Sequence, residues 1–137
     1  LPWIRYCLRA HYQQAATLIK RNAEIGRIWE EISKIIARHG LPPRTELALM
    51  HAAFGISVRN SQYRTEYDIS DVVASRDLKK LCDLEFLMPI GEKRGRHYKA
   101  TKTLLELRAR NRIDRKADDP YQIIGRGSSQ LGLPGLL

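Results

Sequence analysis

Three cationic side chains near residue 95 have the chemistry to bind phosphate groups. Lys93 and Arg94 lie between Gly91 and Gly95, and Arg96 directly follows Gly95. Arginine offers a rigid fork of N–H donors and lysine offers a point charge, so both suit phosphate oxygens. The segment is therefore predicted to bind a polyanion, with its cations positioning the nucleic-acid backbone rather than reading base sequence. The alternative is a charged turn that is simply solvated.

Positive charge is concentrated around this segment. The 137-residue chain has 24 Lys and Arg against 15 Asp and Glu, a formal net charge of +9. Residues 88–112 hold eight of the basic residues and two of the acidic ones, so they account for +6 of that charge. A localised basic region predicts an anionic partner, for which nucleic acid is the default.

No group of side chains predicts catalysis or metal binding. Cys7 and His11 are one helical turn apart, but no nearby residues complete a tetrahedral set of ligands. The sequence contains no Walker-type glycine loop and no supported pairing of a nucleophile with a base. We therefore expect no enzyme activity from this chain and no cofactor.

The cysteine count and the apolar pattern bear on localisation. Cys7 and Cys82 are far apart and predict no disulfide framework, which favours a reducing compartment. The sequence shows no secretory signal and no apolar run that could span a bilayer. We therefore expect a cytoplasmic protein with no membrane partner. Because the chain begins Leu-Pro-Trp without an initiator methionine, we also expect it to be a piece of a longer protein.

A helix is predicted just before the basic segment, from Ser70 to about Glu85. Ser70 is a good N-cap. A period of 3.6 residues places three apolar residues, Ala74, Leu78 and Leu81, on one side together with Glu85. The opposite side carries Val72, Arg76, Lys79 and Asp83. The helix is therefore expected to have one buried face and one face free for contacts.

Two helices before this helix and a β-hairpin after it are also predicted. The β-prone runs Leu87–Ile90 and Arg96–Ala100 flank the basic segment and predict a hairpin with the cations at its tip. Upstream, Thr45–Phe54 reads as a helix, and Asn60 can cap a short helix from Ser61 to about Glu66. Three helices followed by a β-hairpin predict a winged helix-turn-helix with a two-stranded β-wing.

The N-terminal stretch from Trp3 to His39 is predicted to be helical. Its seam positions step by four and three residues: Ile4, Leu8, His11, Ala15, Leu18, Asn22, Ile25, Trp29, Ile32 and Ile36. Either the helix breaks near Asn22–Gly26 to form a helical hairpin, or it stays continuous and packs on another chain as a homodimer; the pattern leaves both open. The fold class is therefore mainly α: a long N-terminal helix or helical hairpin, followed by the winged helix-turn-helix.

The run Gly40-Leu41-Pro42-Pro43 is the predicted boundary between subdomains. It divides the chain into an N-terminal helical segment (1–40), a winged helix-turn-helix domain (41–112) and a C-terminal tail (113–137). The domain includes a further helix from about Thr101 to Arg112.

Ten residues are predicted to contact DNA. They are polar or basic side chains on the short helix, on the outer face of the next helix and on the hairpin: Asn60, Ser61, Arg64, Ser75, Arg76, Lys79, Lys93, Arg94, Arg96 and Lys99. The alternative for any one of them is ordinary solvated surface, and for Asn60 it is a capping role.

Two features oppose DNA binding. The helix is slightly acidic over 70–87, and Glu85 occupies a position where glycine commonly ends a helix in a left-handed turn.

The opening Leu-Pro-Trp-Ile-Arg-Tyr-Cys-Leu, the run Ala74-Ser75-Arg76-Asp77-Leu78 and the later Gly95-Arg96 with Tyr98 resemble the C-terminal region of Fic-family proteins. The resemblance covers about residues 1–105. In that family a tryptophan-led helix closes the catalytic domain, and many bacterial members continue with a linker helix and a winged helix-turn-helix. The family's catalytic motif, H-x-F-x-D-G-N-G-R, does not occur here.

The resemblance implies a non-catalytic accessory domain, with the Fic catalytic domain upstream in the parent chain. The parent would be an AMP-transferase that carries out AMPylation, and this part would bind duplex DNA in transcription regulation. The alternative is a protein-interaction or dimerisation module of a Fic protein without DNA binding.

Overall fold

In a computed structural model of the chain, residues 1–114, 116 and 119–122 can be described. The elements with defined bounds are α1 (Pro2–His39), α2 (Thr45–Ala53), α3 (Asn60–Tyr67), α4 (Asp71–Asp83), β1 (Leu87–Ile90), β2 (His97–Ala100) and α5 (Lys102–Arg110). The described protein is thus mainly helical with one antiparallel β-hairpin, as the sequence predicts. None of the described helices is long and apolar enough to cross a membrane.

The chain divides into two compact units, and the division falls inside α1. The larger unit is Glu24–Arg112, and the smaller one combines Leu1–Ala23 with the described residues from Ile113 to Gln122. The sequence places the boundary later, at Gly40–Pro43. The observed division differs because Ile28 and Ile32 of α1 are fully buried in the core of the larger unit. Residues 123–137, most of the predicted tail, lie outside the described residues.

Helix α1 is continuous through Asn22–Gly26, so the helical-hairpin alternative is wrong. The predicted seam contributes to a core only from Ile25 onward, where Ile25, Ile32 and Ile36 pack with the larger unit. Earlier seam positions are open: Ile4 is 44% exposed and Leu18 is 57% exposed. The seam residues from Ile25 onward therefore contribute to the core of the larger unit, whereas Ile4 and Leu18, in the smaller unit, are exposed.

The core of the larger unit is built around α2, which is apolar on most of its circumference. The buried apolar residues of α2 are Ala48, Leu49, Met50, Ala52 and Ala53. Leu78 and Leu81 of α4 and Leu104 of α5 are fully buried in the same cluster. A helix that is buried all round needs partners on several sides, and α5 and β2 pack directly against it.

Helix α4 follows its prediction closely. The Ser70 hydroxyl accepts a hydrogen bond from the Val73 N–H at 3.3 Å, which confirms the N-cap. Ala74, Leu78 and Leu81 are fully buried, which confirms the inner face. The helix ends at Asp83, two residues before the predicted end.

The chain leaves α4 through a left-handed residue, Glu85, with φ +59°. The Glu85 N–H donates to the Cys82 carbonyl at 2.9 Å, and the Phe86 N–H donates to the Leu81 carbonyl at 3.0 Å. This is a Schellman ending, in which glycine is the preferred residue at the left-handed position. The sequence flagged this position, and the structure shows that glutamate adopts the strained conformation.

Replacing Glu85 with glycine is expected to stabilise the protein. A left-handed backbone conformation costs a non-glycine residue about 1–2 kcal/mol, and glycine removes this cost. Glycine also gives the unfolded chain more conformational freedom, which lowers the gain in stability by about 0.4–1 kcal/mol. The free energy of unfolding in urea should therefore rise by roughly 0.5–1 kcal/mol. Glu85→Ala is the control, since it removes the carboxylate and keeps the strain. Equal stability of the two variants would contradict the explanation.

The hairpin pairs Leu87 with Ala100 and Ile90 with His97 in antiparallel register. This confirms the predicted hairpin, with the second strand beginning one residue later than expected. A feature that the sequence did not indicate joins the hairpin to the segment before α3. Val58 and Tyr98 exchange two backbone hydrogen bonds, of 2.9 and 2.8 Å. The start of α3 is therefore fixed beside β2.

Candidate nucleic-acid interface

A groove of about 390 Å³ opens between the start of α3, the first turns of α4 and the tip of the hairpin. Its lining residues are Arg59, Asn60, Ser61, Arg64, Asp71, Ser75, Lys93, Arg94, Arg96 and Tyr98. Seven of the ten residues predicted to contact DNA are among them. The structure thus brings the hairpin cations and the short helix, some thirty residues apart in sequence, to one concave surface.

The other three predicted residues lie outside the groove lining. Arg76 and Lys79 are exposed on α4. Lys99 alternates with Tyr98 along β2 and therefore faces the other side of the hairpin. There it lines a smaller hollow with Ile56 and Leu105. Lys99 is not brought together with the groove cations.

The groove is strongly cationic. Five of its lining side chains are basic and one, Asp71, is acidic, a net charge of +4. In the described part of the chain, the one ion pair within this lining joins Arg64 Nη1 to Asp71 Oδ1 at 3.9 Å. Both side chains of that pair are well exposed, so the pair contributes little. The cations are therefore available to an anionic ligand.

The cations come from two sides of the groove. Arg59 and Arg64 belong to the α3 side, whereas Lys93, Arg94 and Arg96 belong to the hairpin. Helix α4 contributes only Asp71 and Ser75 to the lining. The groove therefore has two cationic sides and, along α4, a strip without cations.

A tight turn positions the hairpin cations. Gly91 has φ +77°, and Lys93–Gly95 form a single 3-10 turn. The Gly95 N–H donates to the Glu92 carbonyl at 3.0 Å, and the Arg96 N–H donates to the Lys93 carbonyl at 3.2 Å. The left-handed glycine reverses the chain, so that the basic side chains lie at the groove rather than along the strand.

Gly91→Ala is expected to destabilise this turn, whereas Gly95→Ala is not. A Cβ at Gly91 would lie 3.1 Å from the Gly95 carbonyl oxygen on a left-handed backbone, while a Cβ at Gly95 would meet nothing within 4 Å. We expect Gly91→Ala to lower the free energy of unfolding by about 1–2 kcal/mol. Urea unfolding of both variants tests this, and an equal effect at the two glycines would contradict it.

Sequence reasoning missed Arg59 and Tyr98. Arg59 directly follows Val58, whose backbone pairs with Tyr98, so this bridge carries Arg59 to the groove. The available signal was weak, since Ile56 and Val58 alternate with Ser57 over only three residues. Such a run is too short to predict a strand.

Asn60 does not act as the predicted cap. Helix α3 already includes Asn60, and Arg59 takes the N-cap position without a side-chain hydrogen bond. The Asn60 Nδ2 donates instead to Ser75 Oγ at 2.9 Å. The Asn60 side chain therefore links α3 to α4 at the groove.

A partly buried ion pair fixes α4 against its neighbours. Arg44 Nε lies 2.6 Å from Asp77 Oδ2, and the Tyr63 hydroxyl donates to the same oxygen at 3.2 Å. The hydrogen bond with Asp77 raises the pKa of Arg44. Burial, and then the charge of Asp77, raises the pKa of Tyr63. Arg44 therefore stays charged, and the Tyr63 hydroxyl keeps its proton as a hydrogen-bond donor, at neutral pH.

This pair corrects the predicted acidity of α4. Asp77 was counted among the acidic residues of the helix surface, but it is 4% exposed and neutralised by Arg44. The remaining charges over 70–87 balance: Arg76, Lys79 and Lys80 against Asp71, Asp83 and Glu85. The acidic balance was one of two arguments against DNA binding, and it does not apply to the exposed face.

No protein-family model matches this chain, and no curated protein or solved structure is similar to it at a significant level.

Proposed function

We propose that residues 44–100 form a winged helix-turn-helix that binds duplex DNA through the cationic groove. The order α2, α3, α4 and hairpin supports this fold, as does the Val58–Tyr98 bridge, which ties the hairpin to the helices. The observation that carries the function is the convergence of five cations on one groove with a single carboxylate: Arg59 just before α3, Arg64 on α3, and three cations of the hairpin. Scattered solvated charges would not be expected to converge in this way.

In this proposal the cations bind the sugar–phosphate backbone. Each neutralised phosphate releases condensed counterions, so affinity falls as salt rises. The slope of log K against log salt is about −0.9 for each phosphate contact, which gives about −4.5 if all five groove cations engage duplex DNA. Arg76 and Lys79, exposed on α4, are placed to add contacts beyond the groove.

A salt titration tests the proposal directly. The chain is titrated into a fluorescently labelled duplex at several salt concentrations, and anisotropy gives the affinity. We expect binding at low salt with a slope between about −3 and −5. Absence of binding at low salt, or a slope near zero, would remove the DNA-binding function.

The link to Fic proteins is part of the proposal and rests on the resemblance at Leu1–Leu8 and over 74–98. It would make this chain the regulatory, non-catalytic part of an AMP-transferase. The coding sequence upstream of Leu1 is the test. A reading frame that encodes H-x-F-x-D-G-N-G-R there would support the link, and a start codon directly before Leu1 would exclude it.

A second candidate function, homodimerisation through α1, is favoured by one observation. Apolar seam residues on one face of the first half of this helix are exposed: Ile4 44%, Leu8 56% and Leu18 57%. A patch of this kind commonly marks a protein contact. Sedimentation over a wide concentration range tests the idea, since a monomer throughout would exclude it. Dimerisation and DNA binding are compatible.

A further inference from the structure

We propose that the Asn60–Ser75 pair contacts base edges in the groove and gives the site a preference for adenine at one position. The inference deepens the proposed DNA-binding function and depends on it. It assigns Asn60 to specificity, whereas the surrounding cations supply affinity.

The distribution of charge in the groove distinguishes the surface that would contact DNA phosphates from the surface that would contact base edges. The α3 side and the hairpin carry all five cations, and α4 adds a carboxylate and a hydroxyl. A phosphate placed against the α4 strip would meet Asp71 and lose the attraction that the two sides provide. The DNA backbone therefore binds along the cationic sides. Ser75 on the α4 strip, together with the Asn60 side chain that donates to it from α3, faces the base edges between the phosphates.

Asn60 has unused hydrogen-bonding groups for this contact. A carboxamide has two N–H donors and one carbonyl acceptor. Among the described residues, the Asn60 side chain makes one hydrogen bond, from Nδ2 to Ser75 Oγ. One N–H and Oδ1 remain, which is the donor–acceptor set that pairs with N7 and N6 of adenine in the major groove.

The bond to Ser75 prepares Asn60 for binding. It restricts the carboxamide to one orientation before the ligand arrives, so less side-chain freedom is lost on binding. Because Ser75 Oγ accepts from Asn60, the Ser75 hydroxyl hydrogen is available to a second base atom. Ser75 is therefore a positioning residue for Asn60 and a weaker contact in its own right.

Selection from a pool of randomised duplexes by the wild-type chain tests the inference. We expect adenine to be enriched at one position. A duplex with G·C at that position should then bind roughly tenfold more weakly. Asn60→Ala should abolish this difference, while its salt slope stays at the wild-type value because no cation is lost. Ser75→Ala should reduce the difference partially.

Ser61→Ala is the matched control, since Ser61 is an exposed neighbour of Asn60 in the same groove. It should keep the full adenine preference. Circular dichroism of each variant establishes that the helices are intact, and the Ser75 variant provides a second measurement if Asn60→Ala does not fold.

The outcomes separate the two levels of the proposal. Salt-dependent binding without base preference, or a preference that survives both Asn60→Ala and Ser75→Ala, would overturn the inference and leave the DNA-binding function standing. Enrichment of cytosine that is lost in Asp71→Asn but not in Asn60→Ala would also overturn it, since carboxylates accept from cytosine N4. Failure of the wild type to bind any duplex would overturn the DNA-binding function itself.

Discussion

Replacing both Arg94 and Arg96 with alanine is expected to weaken duplex DNA binding by roughly a hundredfold near 50 mM salt. Both arginines line the groove at the hairpin tip, and no carboxylate pairs with either of them in the described residues. Loss of two phosphate contacts should also make the slope of log affinity against log salt shallower by about 1.8. Anisotropy titrations of the double variant at several salt concentrations measure both quantities.

A matched double variant distinguishes the effect of where the lost charges lie from the effect of the lower net charge. Lys99 and Lys102 are exposed and lie outside the groove lining, so Lys99→Ala with Lys102→Ala removes the same charge. This double variant should lose little affinity and keep most of the wild-type slope. If the two double variants weaken binding equally, DNA responds to overall charge and the groove is not the binding site.

Replacing Arg44 with alanine is expected to lower the free energy of unfolding by about 2–3 kcal/mol. The substitution leaves the Asp77 carboxylate, 4% exposed, with the Tyr63 hydroxyl and without its counter-ion. Removal of one partner from a fully buried pair costs about 3–5 kcal/mol, and the lower figure applies here because the Arg44 side chain is 29% exposed and admits water. Urea unfolding followed by circular dichroism measures the change.

Two further variants make this result interpretable. Arg64→Ala breaks an exposed pair with Asp71 and should change stability by no more than about 0.5 kcal/mol. Arg44→Ala combined with Asp77→Ala removes both charges, and it should be more stable than Arg44→Ala alone because no buried charge is left without a partner. If the double variant is less stable than the single one, the cost comes from lost packing rather than from the unpaired carboxylate.

The two predictions concern connected parts of the molecule. Arg44 precedes α2, Tyr63 lies on α3 and Asp77 lies on α4, so the buried network sets how α3 meets α4. Asn60 and Ser75 link the same two helices at the groove. A destabilised Arg44 variant that still binds DNA with the wild-type slope would show that the groove tolerates some loss of this network.

Local features of the larger unit were predictable from residue patterns. The Ser70 cap, the buried side of α4, the hairpin and the left-handed Glu85 each depend on residues within a few positions of one another. Backbone hydrogen bonding and steric limits act over that range, so a short window of residue types carries the information. Of the seven predicted residues that line the groove, four lie on α4 or the hairpin, and three lie on α3, a helix that the sequence also predicts.

Contacts between distant residues could not be predicted in this way. Arg44 and Asp77 are 33 positions apart, and nothing local indicates that they pair. Asp77 does fall beside Ala74 and Leu78 in helical period, which was a signal that it faces inward. The helical period alone cannot show that Arg44 lies beside Asp77 and neutralises its charge. Likewise, Val58 and Tyr98 form a β-bridge, which the three-residue alternation at 56–58 is too short to predict.

Helix α1 shows both cases in a single element. Its amino-acid pattern specifies a helix with an apolar seam, because helical period is a local property. Whether a seam residue is core or surface depends on what packs against it, and Ile32 is buried whereas Leu18 is 57% exposed. Residue order thus sets the conformation of each segment. Burial, ion pairing and the shape of the groove are set by which segments meet, since those free energies arise only when distant side chains exclude water together.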